Sequence, residues 1–294
     1  MLKGKKGNRF ESILEAFFKA SAFLSVVVLA GIFILLLLNA FPAFRDIRFL
    51  DFLAPIWNPD GYDSSTYGIL AMLVSTAMVT IGALIFAVPI GIFTAAYMAE
   101  IAAPRQREII KPVIEILAGI PSVVVGFLGI VVLSPIIASM FHLSNGLNAI
   151  NGSILLGIMA LPTIISISED AILMVPNTYK EGSYALGANK WQTLFFVTLP
   201  AASSGILASV MLGMGRAVGE TMTVLMATGN ASAMPTSFFD SVRTMTATIA
   251  IELGEVPYNT THYYALFAVG FYVFVITFVI NLIADHFTHK VKKY

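Results

Sequence analysis

Cysteine is absent from all 294 residues, which excludes disulfides, thiolate metal sites and cysteine nucleophiles. Charge is scarce: Asp, Glu, Lys and Arg make up 12% of the chain, about half of what a soluble domain carries. The 17 acidic and 17 basic residues cancel, so no global basic field points to nucleic acid. Nowhere does G-x-x-x-x-G-K-[ST] occur, so the chain has no phosphate-cradling loop for ATP. What abounds is apolar: 57% of residues are hydrophobic and the mean hydropathy is +0.85. Most of this chain is solvated by something other than water.

Six stretches are long and apolar enough to cross a bilayer, each needing about 20 residues. They lie near 18–41, 69–98, 113–139, 154–175, 199–229 and 263–284. The expected fold is all-α, one polytopic membrane domain over 1–294 with membrane lipid around it. Its segments are a cytoplasmic 1–17, an outer loop 42–68, an inner loop 174–200, an outer segment 230–262 and a cytoplasmic 285–294. The fifth run exceeds one straight crossing, so it tilts or continues into an outer loop. The first run follows basic residues but outlasts a signal-peptide core and lacks a clean A-x-A site, which reads as a retained anchor helix.

Basic residues orient the spans. Thirteen of the seventeen, including Lys3, Lys5, Lys6, Arg107, Lys111, Lys180, Lys292 and Lys293, fall on one side if the spans alternate. Arg45, Arg48 and Arg243 fall on the other, and Arg216 remains inside a span. Both termini are therefore expected in the cytoplasm.

The loops differ in character. The first outer loop carries a turn at Pro59, Asp60 and Gly61, while Trp57, Tyr62 and Tyr67 suit the membrane–water interface. Segment 231–262 forms a short helix against the outer face or dips into the membrane. The inner stretch "AEIAAPRQREIIKP" is short and mixed in charge, and Glu169 and Asp170 are expected solvated or paired at the inner interface. Residues 174–200 are different: Pro176 ends the fourth span and Pro200 opens the fifth. Between them Tyr179–Leu186 and Lys190–Phe196 read as two short helices, with Gly187 at a joint where a left-handed conformation costs least. Tyr184, Leu186 and Trp191 leave apolar surface there. It packs against the chain's own helix ends and headgroups, or it docks a soluble partner.

The run from Glu181 to Pro200 resembles the signature loop of ABC-importer permeases: Glu181, then Gly187, then Val197, Leu199 and Pro200. Gly182 and Ser183 stand where Ala-Ala is usual, and Val197 replaces the commoner Ile. The stretches "EILAGIPSVVVGFLG", "ALPTIISISEDAILMVPNTYKEGSYALGANKWQT" and "GRAVGETMTVLMATGN" resemble phosphate-uptake permeases, and "IWNPDGYDSSTYGI" is similar to their C-type. The resemblance implies a type I importer fold and a heterodimer with an A-type permease. It also implies two cytoplasmic ATPase subunits and an external phosphate-binding protein. Glu181, Tyr184, Gly187, Leu199 and Pro200 would then form the ATPase-coupling loop. No cofactor and no catalytic residue is expected, since hydrolysis belongs to the partner.

Several weaker patterns compete with simpler readings. "GMGRAVG" has Val218 where a dinucleotide fingerprint needs its third Gly. Gly215 and Gly219 read better as a small-xxx-small pair that admits a neighbouring helix. The four histidines show no metal-ligand spacing, and Met174, Met211, Met214, Met222 and Met226 read as core filler. Pro121, followed by Ser122, breaks the third span, as a packing device or as a bend that gates. The residues alone lean to packing; the family resemblance raises the gating reading.

Arg216 and Glu220 are the sharpest feature. Each costs roughly 2.5–3.5 kcal/mol at the centre of a membrane helix. At i and i+4 they would share a face and pair, either to fix packing or to line an anion path. A guanidinium matches an oxyanion's geometry, and a competing carboxylate would let the anion leave. The resemblance implies the path. The function expected is inward conduction of inorganic phosphate. Open alternatives are another oxyanion (sulfate, molybdate, phosphonate), an ATP-independent channel or secondary transporter, and a structural scaffold without flux.

Overall fold

The computed structural model describes residues 9–59, 61 and 65–290. Lys3, Lys5, Lys6, Lys292 and Lys293 of the orientation count, Asp60 of the expected turn and Tyr62 of the expected interface lie outside the described residues.

Helix α1 (Arg9–Asp46) is continuous over 38 residues, about 57 Å at the α-helical rise. Its apolar side chains are exposed along most of its length, as lipid-facing residues are. The connection after α1 holds α2 (Phe49–Phe52) and a two-residue hairpin of β1 (Trp57–Asn58) and β2 (Thr66–Tyr67). Trp57, expected to suit the membrane–water interface, is enclosed by its own chain. It is buried and donates from Nε1 to Glu252 Oε2 at 2.9 Å, 195 residues away.

Helix α3 (Leu70–Ala96) runs into a π-helical turn at Tyr97–Ile101. The stretch expected as an unremarkable inner loop is mostly helix α4 (Pro104–Gly119). The third span therefore starts later than 113. It begins after Pro121 with α5 (Ser122–Leu128), a π turn at Gly129–Leu133 and α6 (Ser134–Met140). Arg105, Arg107, Lys111 and Glu115 keep α4 out of hydrocarbon, and Pro121 has no amide to continue its ladder. Helix α7 (Ala149–Leu173) is capped by the Asn148 side chain, which accepts from Asn151 N. Asn151 in turn donates to the Gly129 carbonyl at 3.1 Å, holding the π turn against α7.

Two short helices follow, α8 (Asn177–Ala185) and α9 (Lys190–Thr193), then a π turn at Leu194–Thr198 and α10 (Leu199–Ala201). Helix α11 (Ser203–Gly219) leaves at 67° to the preceding segment. The fifth run thus bends at its start and breaks again at Glu220, before α12 (Met222–Ala227). It does not simply tilt. Helix α13 (Met245–Glu252) packs inside the bundle against α3, α12 and α14 (Thr261–Lys290). Five described helices are long and apolar enough to span a membrane, six if the bent pair counts as one.

Close helix approach explains the centre of the fold. Helices α3 and α7 lie against each other along most of their length, lined by Ala83, Ala87, Ala95 and Ala160. At Gly91 a Cβ would stand 2.7 Å from Ile164 Cγ2, so only glycine permits this spacing. Between α7 and α11, the buried hydroxyls of Ser168 and Ser209 lie 2.7 Å apart. Gly215 does admit α14, with Asn281 close by, but Gly219 faces open space, so the expected small-residue pair is half right. Met174 is no core filler: it is exposed at the end of α7.

Candidate functional site

Arg216 occupies the last turn of α11, whereas Glu220 lies beyond the helix end in extended conformation, φ −69° and ψ 134°. The expected i, i+4 ion pair requires continuous helix and does not form. Instead Glu220 Oε1 accepts from Thr221 N at 3.1 Å and Thr223 N at 3.4 Å. Those amides begin α12 and have no partner within it. A carboxylate capping its own chain offers the backbone an alternative to helix, and Gly219 before it imposes no side chain on the bend.

The Arg216 guanidinium is exposed, and its Nη1 lies 3.4 Å from Thr163 Oγ1 on α7. No carboxylate pairs with it among the described residues. Arg216 and Glu220 nevertheless border one small recess with Leu156, Met159 and Ala160. Thr163 also borders a larger cavity of about 290 Å³ between α4 and α7, where Lys111, Glu115, Ser166 and Glu169 supply polar groups. Polar side chains thus recur at Thr163, Ser166 and Glu169 along α7, among mostly apolar neighbours. Thr163 and Ser166 were not singled out in the sequence; their spacing of three on an apolar helix was the available signal.

Pro121 and Ser122 stand where the broken third span meets the broken fifth. Pro121 precedes α5 at φ −60°, ψ 138°. The Thr223 hydroxyl, wholly buried, donates to the Ser122 carbonyl at 3.1 Å and sits 3.1 Å from Met159 Sδ. Thr223 was also missed.

At the α8–α9 end, Glu169 is buried on α7 and its carboxylate meets Arg107 Nη2 at 2.6 Å and Lys111 Nζ at 3.9 Å. Burial of that charge is tolerable because two cations of α4 face it. Asp170 beside it is exposed. The α8–α9 hairpin turns on Gly187 at φ +84°, as the sequence suggests. Asn189 and Gln192 then form a reciprocal capping box, 2.8 and 2.9 Å, that starts α9. Leu186 is 91% exposed, with Tyr184 and Trp191 beside it, and Glu181 is exposed too. Leu199 packs on the apolar cluster of Ala95, Ala96 and Ile114, and Pro200 precedes the bend into α11. The hairpin's tip therefore finds no packing within its own chain, although its base does.

Residues 87–293, from α3 through all of these positions, match the family of binding-protein-dependent transport system inner membrane components. The chain belongs to that family. It is a membrane transport subunit, a multi-pass permease of the plasma membrane. The permease is 35% identical over 300 residues to the phosphate transport system permease protein PstC of Mesorhizobium japonicum, covering 96% of this chain and 90% of that one. It is 40% identical over 244 residues to the probable ABC transporter permease protein YqgH of Bacillus subtilis, covering 83% and 79%. Among solved structures it is similar in fold to a bacterial ABC transporter for the acidic polysaccharide alginate, at TM-score 0.58 and 16% identity over 97% of this chain and all of that one. The MetNI methionine ABC transporter matches at TM-score 0.56 and 20% identity, over 76% and 94%.

Proposed function

We propose that this permease conducts inorganic phosphate inward as the C-type half of an ATP-driven importer. The observation that carries the reading is an unpaired guanidinium, Arg216, in a membrane span of a chain so similar to PstC along nearly its whole length. An uncompensated cation there is costly unless anionic cargo meets it. Its forked donors fit a phosphate's oxygens. The hydroxyls of Thr163 and Ser166 extend the path toward the hairpin end, and the distribution of basic residues supports a cytoplasmic position for that end and for both termini.

Glu220 acts on the same path from the start of α12, where it balances Arg216 across the recess without binding it. Pro121 and Ser122 are the bend at which the third span changes shape during alternating access. Glu181, Tyr184, Gly187, Leu199 and Pro200 form the loop that docks an ATPase subunit, and the exposed Leu186 and Trp191 are the apolar surface it covers. The remaining partners are an A-type permease, a second ATPase subunit and an external phosphate-binding protein.

Uptake into vesicles holding the full complex tests this. Arg216→Ala is expected to cut phosphate uptake by roughly ten- to a hundredfold, the worth of charge-assisted hydrogen bonds, with the subunits still co-purifying. Near-normal uptake by an assembled Arg216→Ala complex rejects the path. Uptake that continues without ATP favours a channel or secondary transporter, and a panel of sulfate, molybdate and phosphonate separates the oxyanions.

A further inference from the structure

Helix α8 touches the rest of the chain through very little. Of its nine residues only Lys180 and Ser183 are less than exposed; at i and i+3 they share its inward edge. The Ser183 hydroxyl lies 2.9 Å from Thr193 Oγ1 and ties α8 to α9, inside the hairpin. Lys180 does something else. It reaches out of the hairpin to form an ion pair with Glu100, in the π turn that ends α3.

We propose that the Lys180–Glu100 ion pair is the joint through which displacement of the α8–α9 hairpin reaches α3, with Lys180 a positioning residue for coupling ATP hydrolysis to transport. This rests on the reading of the hairpin as the ATPase dock. The two side chains are 16% and 14% exposed, so solvent screens their attraction little, and removing one partner strands a charge. The hairpin's other attachments are apolar: Val175, Leu194 and Leu199 pack against Ala95, Ala96 and Met98. Apolar burial is non-directional and permits sliding; a desolvated ion pair holds register.

The acceptor's position matters as much. A π turn breaks the regular helical ladder and yields more readily than plain helix. Immediately after it the chain turns extended at Ala102 and enters α4. Helix α4 in turn grips α7 through Arg107 and Glu169. A pull on Glu100 therefore acts at the corner between α3 and α4 and continues to α7, which carries Thr163 against Arg216.

The test uses the full complex with its binding protein in proteoliposomes, reading phosphate taken up per ATP hydrolysed. Lys180→Glu and the milder Lys180→Gln should lower that ratio by roughly tenfold, while ATPase subunits still co-purify. The swap Lys180→Glu with Glu100→Lys should restore most of it, which a merely structural loss of charge would not. An unchanged ratio in Lys180→Gln, or no recovery in an assembled swap, overturns the joint. Docking is read separately. Because the chain has no cysteine, Leu186→Cys gives a unique cross-linking handle. Failure of that handle to capture an ATPase subunit defeats the dock and the joint together; capture with an unchanged ratio in Lys180→Gln defeats only the joint.

Discussion

Thr223 and Ser122, 101 residues apart, meet through a 3.1 Å hydrogen bond in which the Thr223 hydroxyl donates to the Ser122 carbonyl. Each residue sits one or two positions into a helix that restarts after a break, α5 after Pro121 and α12 after Glu220. Two interruptions that look independent along the chain are therefore one structural feature. A change of shape at either break has to pass through this contact or rupture it.

Thr223→Val should destabilise the permease by about 1 kcal/mol, the usual net worth of a buried hydrogen bond, because it keeps the side-chain volume and deletes the donor. Thr223→Ser retains the hydroxyl and should keep more of the bond, at the cost of one methyl. Thermal unfolding of the purified subunit in detergent reads both. Equal midpoints for wild type and Thr223→Val would show that the contact contributes nothing.

Gly187→Ala isolates a backbone effect. The residue has φ +84°, and a Cβ there would meet nothing within 4 Å, so no clash accompanies the strain. An L side chain in this region costs about 1 kcal/mol, which should unseat the α8–α9 turn without harming the bundle. Co-purification of ATPase subunits should fall for Gly187→Ala and recover in part for Gly187→Asn, since asparagine tolerates the left-handed region better. Identical yields for all three chains would mean that the turn's geometry is irrelevant to docking.

What could be read from the residues depended on the range of the physics. Gly187 and Pro121 were legible because a glycine at a joint and a proline inside an apolar run dictate local backbone by themselves. The Arg216–Glu220 pairing failed because i, i+4 reasoning presumes helix, and the break after Gly219 is made by the carboxylate itself. Thr221 and Thr223 after Glu220 were the local hint. The end of helix α4 reads as part of the third span because Val113, Ile114, Ile116 and Leu117, interrupted only by Glu115, blur into the run beyond Pro121. The contact of Trp57 with Glu252 spans 195 residues, and no local pattern announces it.

Asp240 sets an acid limit on the segment between α12 and α13. Its carboxylate accepts from the amides of Thr236 and Ser237 and from the Thr236 hydroxyl. Those bonds, the Thr236 amide first, hold its pKa below the ordinary 3.8. A depressed carboxylate stabilises the fold above its unfolded pKa, and that contribution disappears as pH falls through the lowered folded value. The 236–240 turn should thus be constant from neutral pH down to the ordinary carboxylate range and loosen only below it. Exchange protection of the Thr236 and Ser237 amides reports this; Asp240→Asn should show the loosened behaviour already at neutral pH. Protection unchanged by Asp240→Asn would remove the carboxylate from the account.

Glu252 gathers three separate stretches of chain at one carboxylate. Trp57 Nε1 donates to it from β1 and Arg243 Nη1 from the connection before α13, each at 2.9 Å, and His262 Nε2 lies 2.8 Å away at the start of α14. Arg243 adds a second tie, from Nε to the Asn230 carbonyl at 2.9 Å, just past α12. Glu252 and its two ionisable partners, Arg243 and His262, are largely buried, so removing the negative charge leaves the Arg243 cation uncompensated. Glu252→Gln should therefore cost about 3 kcal/mol, the low end for a one-sided loss of a buried pair, and lower the thermal midpoint in detergent by several degrees. The double change Glu252→Gln with Arg243→Met removes both charges and should recover part of that loss, since a neutral pair strands nothing. If the single variant melts with wild type, the cluster is not what fastens this end of the bundle. If the double variant melts below the single one, the guanidinium's bond to Asn230 outweighs its pairing with Glu252.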